Sequence, residues 1–294
     1  MFERRRPGLR AALVATAVAV ATATGAGSAV AAPEADPVVA PAFHLYGVHK
    51  QTHELWEWYH RGPLLVTDGP DISGPDAGDQ SDLADIITVD NSSDSYGAGR
   101  GDGYWTLYKN GRLDFAGWYD GQWRGPKNVG RGWDIYRTVL SPGTLGGAKE
   151  ADLIGLDRAG VLWSYLGYPD GRVTTRMRVG GGWGQYTELA GQGDLTGDGR
   201  ADITARDKAG VLWLYKGTGD YKAPFAGRTK IGGGWNAYDR LLSLGDSDAD
   251  GKVDLLARKT TGELLRYSGT GNAARPFTAP VQIKESFMKE YNLL

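Results

Sequence analysis

A segment of about fifty residues recurs along this chain, and such a chain must stack its units or close them into a ring. Asp157-Arg158-Ala159-Gly160-Val161-Leu162-Trp163-Ser164-Tyr165 returns as Asp207-Lys208-Ala209-Gly210-Val211-Leu212-Trp213-Leu214-Tyr215. A weaker copy is Lys259-Thr260-Thr261-Gly262-Glu263-Leu264-Leu265-Arg266-Tyr267. Upstream, residues 103–108 and 54–58 fit the same register. Trp56 then aligns with Thr106, Trp163, Trp213 and Leu265, at intervals of 50, 57, 50 and 52. The longest interval reads as an insertion around residues 118–123. A second signature is interleaved: Val129-Gly130-Arg131-Gly132-Trp133-Asp134-Ile135-Tyr136 returns at residues 179–186 and 231–238. It decays at residues 283–287, with Tyr291 following.

Each unit reads as four short strands. In the best copy these are residues 238–244, 253–258, 263–268 and 276–283. Turn glycines fall between apolar runs, and no helical period is sustained in the chain after its N-terminal segment. Radial repetition of four-stranded sheets is a β-propeller. Residues 43–48 and 54–59 align with the second and third strands, so the first unit begins without a first strand. The C-terminal Tyr291-Asn292-Leu293-Leu294 aligns with Tyr238-Asp239-Arg240-Leu241-Leu242, a first strand without its unit. The expected fold is therefore all-β: a propeller of five four-stranded blades over residues 43–294, closed by pairing the N- and C-terminal segments. Closure removes the sheet edges that invite aggregation.

The N-terminus carries a different message. Four arginines (Arg4, Arg5, Arg6 and Arg10) precede an Ala/Val/Thr run ending at Ala29-Val30-Ala31. That pattern is a secretory signal peptide over residues 1–31, followed by a Pro/Ala-rich linker at 32–42. Arg5-Arg6 fits a twin-arginine signal loosely, and ordinary export fits as well. The expected location is extracellular, with no membrane span in the mature chain. Removing the signal leaves 29 basic against 34 acidic side chains. Such a balance gives no footprint for nucleic acid. The absence of Cys excludes disulfides, thiol catalysis and Cys-ligated zinc.

Two acidic loops stand out within the repeats. Asp194-Leu195-Thr196-Gly197-Asp198-Gly199-Arg200-Ala201-Asp202 returns 52 residues later as Asp246-Ser247-Asp248-Ala249-Asp250-Gly251-Lys252-Val253-Asp254. Oxygen-bearing side chains at positions 1, 3, 5 and 9 of a curled loop can converge, and such a hard-oxygen cluster suits Ca²⁺. An EF-hand would need Glu at position 12, where Ala205 and Ala257 stand. The equivalent stretch at residues 144–152 keeps only Asp152, and no metal is expected there. The acidic stretch at residues 76–85 is off register and is left undecided.

These loops and their flanking strands resemble the FG-GAP/VCBS repeats, which also build the propellers of integrin α-subunits. The resemblance implies Ca²⁺ held by Asp194, Thr196, Asp198 and Asp202, with the Arg200 carbonyl. In the later loop it implies Asp246, Asp248, Asp250 and Asp254, with the Lys252 carbonyl. Thr196 departs from the usual Asn or Asp, which makes that site the weaker. The Gly-Gly-Gly-Trp-Asn stretch at residues 232–236 is similar to tachylectin-type five-bladed lectins. That likeness implies carbohydrate sites between neighbouring blades.

For such sites the candidate residues are Trp133, Trp183 and Trp235 with Gly182, Gly234 and Asn236. An indole face can stack on a sugar ring while neighbouring polar groups hydrogen-bond hydroxyls. The alternative for each Trp is packing between blades, as is expected of Trp56, Trp163 and Trp213. Four histidines, His44, His49, His53 and His60, fall on one hairpin, whose alternating geometry spreads them rather than gathering a zinc site. No nucleophile motif is present. Three readings stay open: a non-catalytic module binding carbohydrate or a cell-surface glycan, an integrin-like scaffold for a protein partner, and an enzyme with scattered residues.

Overall fold

Tight glycine turns end many of the strands, and the computed structural model describes residues 42–61, 64–67, 69, 78–90 and 103–294. Among these there are twenty strands, short 3-10 turns and no α-helix. No helix of the described residues is long and apolar enough to cross a membrane. The expected signal peptide, most of the linker and residues 70–77 lie outside the described set.

The strands form five antiparallel four-stranded sheets, which are the blades of a propeller. Blade 1 holds β1 (Leu45–His49), β2 (Leu55–Arg61), β3 (Leu64–Val66) and, from the far end of the chain, β20 (Tyr291–Leu293). Blade 2 is β4 (Leu83–Val89), β5 (Gly103–Tyr108), β6 (Leu113–Tyr119) and β7 (Gln122–Gly130). Blade 3 is β8 (Tyr136–Gly143), β9 (Asp152–Asp157), β10 (Leu162–Tyr165) and β11 (Met177–Gly180). Blade 4 is β12 (Tyr186–Ala190), β13 (Ile203–Asp207), β14 (Leu212–Tyr215) and β15 (Thr229–Gly232). Blade 5 is β16 (Tyr238–Leu242), β17 (Leu255–Lys259), β18 (Leu264–Tyr267) and β19 (Val281–Lys284).

The ring closes as the sequence implied. β20 pairs with β1 in the register Gly47↔Leu293, Val48↔Asn292 and His49↔Tyr291. The Arg258 guanidinium on β17 donates to the carbonyls of Met288 and Tyr291 at 2.9 and 2.7 Å, fixing the closing strand to blade 5. In blades 3, 4 and 5 the second strands are buried on both faces because blades pack face to face; Leu153, Ile154 and Leu156 of β9 are all almost fully buried. The outermost strands β11, β15 and β19 have no buried residue.

Two sequence expectations are corrected. Trp56, Trp163, Trp213 and Leu265 do share one position, pairing with Gly47, Gly155, Ala205 and Ala257. In blade 2, however, Asp114 pairs with Thr106 and takes that position. Thr106 lies one strand earlier, so the long interval falls between blades 1 and 2 rather than at residues 118–123. Alternation marks Gly103–Tyr108 as a strand but carries no information on which strand of a blade it is. The fourth strand of blade 5 is also shorter than expected. Residues 276–278 instead cross the third-strand exit, where Phe277 bridges Gly269.

Candidate functional site

The acidic loops connect the first and second strands of blades 4 and 5. The last residue of each motif is a staple. Asp254, fully buried, accepts hydrogen bonds from the backbone N–H of Ser247 (2.9 Å) and Gly269 (2.8 Å). Asp202 does the same with Leu195 (3.0 Å) and Gly217 (2.7 Å). Asp152, in the loop that lost its other acids, binds Leu145 (2.7 Å) and Gly167 (2.9 Å) in the same way. This acid therefore ties the loop to the exit of the third strand in all three blades. Burial pushes each of the three carboxyls up to about 6.

The two loops then diverge. In the later one, carboxylate oxygens of Asp246, Asp248 and Asp254 all lie within 4.8 Å of one another. It is the one group of three metal-binding side chains among the described residues. Asp246 is held by the N–H groups of Asp250 (3.1 Å) and Gly251 (2.7 Å). Asp248 accepts from Ser268 Oγ at 2.6 Å and pairs with Arg266 at 3.3 Å, while its buried Oδ1 has no hydrogen-bond partner. Three like charges at this spacing repel one another, and an orphaned buried carboxylate oxygen fits a hard cation. Asp250 and Lys252 stand apart, paired with each other at 3.1 Å.

In the earlier loop Asp194 turns inward on its own backbone. It accepts from the N–H groups of Thr196 (2.9 Å), Gly197 (2.7 Å) and Gly199 (2.5 Å). Asp198 turns outward to Lys216 Nζ at 2.9 Å, and Arg200 N–H donates to Asp198. The structure thus gathers Asp246, Asp248 and Asp254; in the earlier loop Thr196 stands at the position of Asp248, so only two acids, Asp194 and Asp202, occupy the equivalent places, and Asp198, like Asp250, turns outward to a lysine.

The glycine–tryptophan segments are packing devices. Gly132, Gly182 and Gly234 sit at positive φ (82°, 87° and 89°), a conformation other residues adopt at a cost, and each starts a 3-10 turn. The turn drives Trp133, Trp183 and Trp235 into the next seam, where they are 4%, 7% and 7% exposed. Their ring centroids lie 4.6, 4.5 and 4.8 Å from Tyr165, Tyr215 and Tyr267. With both faces committed to protein, these indoles offer no platform for a sugar, which corrects that expectation. Asn236 lies at the surface, its amide donating to the Lys208 carbonyl at 3.3 Å.

An open site lies elsewhere, between blades 1 and 2. A cleft of about 510 Å³ is walled by His44, Tyr46, Glu57, Tyr59 and His60 on one side and by Thr88, Tyr104 and Trp123 on the other. Trp123 is 47% exposed, tilted against Tyr104 with centroids 6.3 Å apart. Glu57 accepts from the Tyr46 hydroxyl at 2.8 Å and sits 2.5 Å from His44 Nδ1. The His44 hydrogen bond holds the Glu57 carboxyl below its ordinary value, whereas burial pushes the His60 imidazole down. The histidines do not converge, since His49 faces Tyr291 and His53 faces Asp79. From the undecided acidic stretch, Asp79 lies before and Asp85 within the first strand of blade 2, and Asp76 lies outside the described residues. Sequence reasoning missed this cleft because its walls come from two blades whose repeats are the least regular.

The first strands of blades 2, 4 and 5 bring Arg240 between Glu188 (3.4 Å) and Asp85 (3.9 Å). The cavity there is only about 80 Å³.

Residues 194–257, spanning both acidic loops, match the FG-GAP-like repeat model. No curated protein matches the sequence. Among solved structures, the chain is similar to the BP39L lectin of Burkholderia pseudomallei, at 14% identity, 84% of this chain, 70% of that chain and TM-score 0.48. It is also similar to BBS1N, solved in complex with ARL6DN, at 11% identity, 84% and 66% coverage and TM-score 0.39. A third is Prp20p of Saccharomyces cerevisiae, at 12% identity, 79% and 59% coverage and TM-score 0.37. The chain spans less than two thirds of the BBS1N and Prp20p chains.

Proposed function

We propose that this FG-GAP-like propeller is a secreted, calcium-stabilised binding module that takes carbohydrate in the cleft between blades 1 and 2. The observation that carries the reading is the cleft itself, with exposed aromatic rings beside a fixed carboxylate. Sugar pockets combine flat apolar surface with a few oriented polar groups. Trp123 and Tyr104 supply the surface; Glu57, oriented by His44 and Tyr46, accepts from hydroxyls. A carboxyl held low stays ionised near neutral pH and accepts hydrogen bonds rather than delivering a proton. That favours binding over hydrolysis.

Calcium belongs to the later loop, on Asp246, Asp248 and Asp254. Bound there, it would neutralise the three carboxylates and fix the loop next to the chain's entry, where Ala42 bridges Gly245. The loop at residues 194–202 closes on itself through backbone N–H groups and Lys216, and so depends less on a metal.

A glycan array probed with the protein in Ca²⁺ tests the ligand class. The expected result is binding to one coherent sugar family, lost in Trp123→Ala and Tyr104→Ala variants that keep the wild-type melting temperature. A blank array on folded protein, or undiminished binding by both variants, would overturn the reading.

A further inference from the structure

The seams between blades 2 and 3 and between blades 3 and 4 carry the same unexplained arrangement at the surface. On blade 3, the Arg176 guanidinium lies 4.3 Å above the Trp163 ring, and the Trp163 indole N–H donates to Asp157 at 2.9 Å. Arg176 lies beside the Tyr136 hydroxyl, and Arg178 stands directly across from Trp163 on β11. On blade 4, Arg228 lies 4.0 Å above Trp213, whose N–H donates to Asp207 at 2.8 Å. Arg228 donates to Gln185 at 2.9 Å and to the Tyr186 hydroxyl, and Lys230 stands across from Trp213. The four cationic side chains are all exposed.

Blade 5 shows that this arrangement is not needed to build a seam. There Leu265 replaces the Trp, Lys259 the Asp, and Val281 and Gln282 lie opposite the third strand. Trp235 nevertheless packs on Tyr267, and the Tyr238–Tyr267 hydroxyl pair persists. The arginines and their supporting tryptophans are therefore surplus to blade packing.

A guanidinium spread on an indole and tethered at one nitrogen has lost most of its rotamer freedom. Its outer edge is then a preorganised fork for a planar or tetrahedral oxyanion, and a second cation beside it adds charge. We propose that Arg176 with Arg178, and Arg228 with Lys230, are two equivalent receptors for the carboxylate or sulfate groups of an acidic polysaccharide. Two similar receptors on consecutive blades suit a polymer that repeats one anionic group along its length, and engaging both raises affinity through effective concentration. The neighbouring Tyr and Gln groups offer hydroxyl and amide partners of the kind a sugar chain uses. This site is separate from the cleft between blades 1 and 2 and does not depend on it.

The test is binding of polygalacturonate, dextran sulfate, neutral dextran and single-stranded DNA to the intact protein, at low and high salt. The two polyanionic glycans separate carboxylate from sulfate as the recognised group. Expected is binding to at least one of them, weakened by salt and absent with neutral dextran. Arg176→Ala or Arg228→Ala alone should weaken it about 10-fold, and both together about 100-fold or more. The double Lys variant, which keeps the charge and the fold, should bind several-fold more weakly than wild type. Trp123→Ala should bind these polymers normally, which keeps the result independent of the cleft. No binding by wild type, full binding by the double Ala or double Lys variant, or tighter binding to DNA than to either glycan would overturn the proposal.

Discussion

The seam between blades 3 and 4 and the seam between blades 1 and 2 join equivalent sheets, yet one is solid and the other open. The first is filled by Trp183 against Tyr186, Tyr215 and Phe225, over a floor of Leu and Ile from both blades. The second has no tryptophan plug: Leu83 stands where Tyr136, Tyr186 and Tyr238 begin their blades. Its buried cluster is limited to Val48, Leu55, Leu83, Ile86 and Leu294. Tyr46 and Tyr104 pack against this cluster with one part of their rings and, with the exposed Trp123, line a cleft with the rest. The same residue type thus builds a core or a binding surface depending on whether a turn drives it inward.

The largest test of this contrast is to truncate one tryptophan of each kind. Trp183→Ala should cost about 3–5 kcal/mol of stability, as expected for a buried Trp. Trp123→Ala should change stability by no more than about 0.5 kcal/mol, as for an exposed site. Urea unfolding of both variants reads the difference, and equal losses would remove the distinction between the two seams.

The acidic loops repeat the contrast on a smaller scale: the later one converges three carboxylates, and the earlier one has Thr196 where the third would stand. Chelation should lower the melting temperature. Calcium at a hundredfold excess over its Kd should restore about 3 kcal/mol. Asp248→Asn should abolish that calcium response, and Asp198→Ala should leave it in place. A calcium response surviving Asp248→Asn would place the metal elsewhere.

Asp152 separates the staple from the metal, because its loop has no converging acids. Its carboxyl is raised from 3.8 to about 6, so the folded state holds a proton that the unfolded chain has released. This contribution is complete below pH of about 4 and is lost as pH rises through about 6. Relative to Asp152→Asn, the wild type should therefore gain on the order of 2 kcal/mol between pH 7 and pH 4. A pH-independent difference between the two would show that the carboxyl is not desolvated.

The sequence by itself determined the blade count and the closure, because each is a periodic property, but not which strand of blade 2 residues 103–108 form. A repeat of fifty residues reports itself in aromatic spacing, and an unpaired first strand at Tyr291 answers a missing one before Leu45. It also located the acidic loops. Only the tertiary structure decided which side chains meet. Positions 1, 3 and 9 of the later acidic loop converge while position 5 turns away to a lysine, in Asp250 as in Asp198, a choice that motif spelling does not encode. Trp133, Trp183 and Trp235 read equally well as platforms or plugs, and the positive-φ glycine before each one turned them inward. The cleft between blades 1 and 2 left no periodic trace at all. It exists where the repeat is least regular, and its walls meet only when distant strands close the ring.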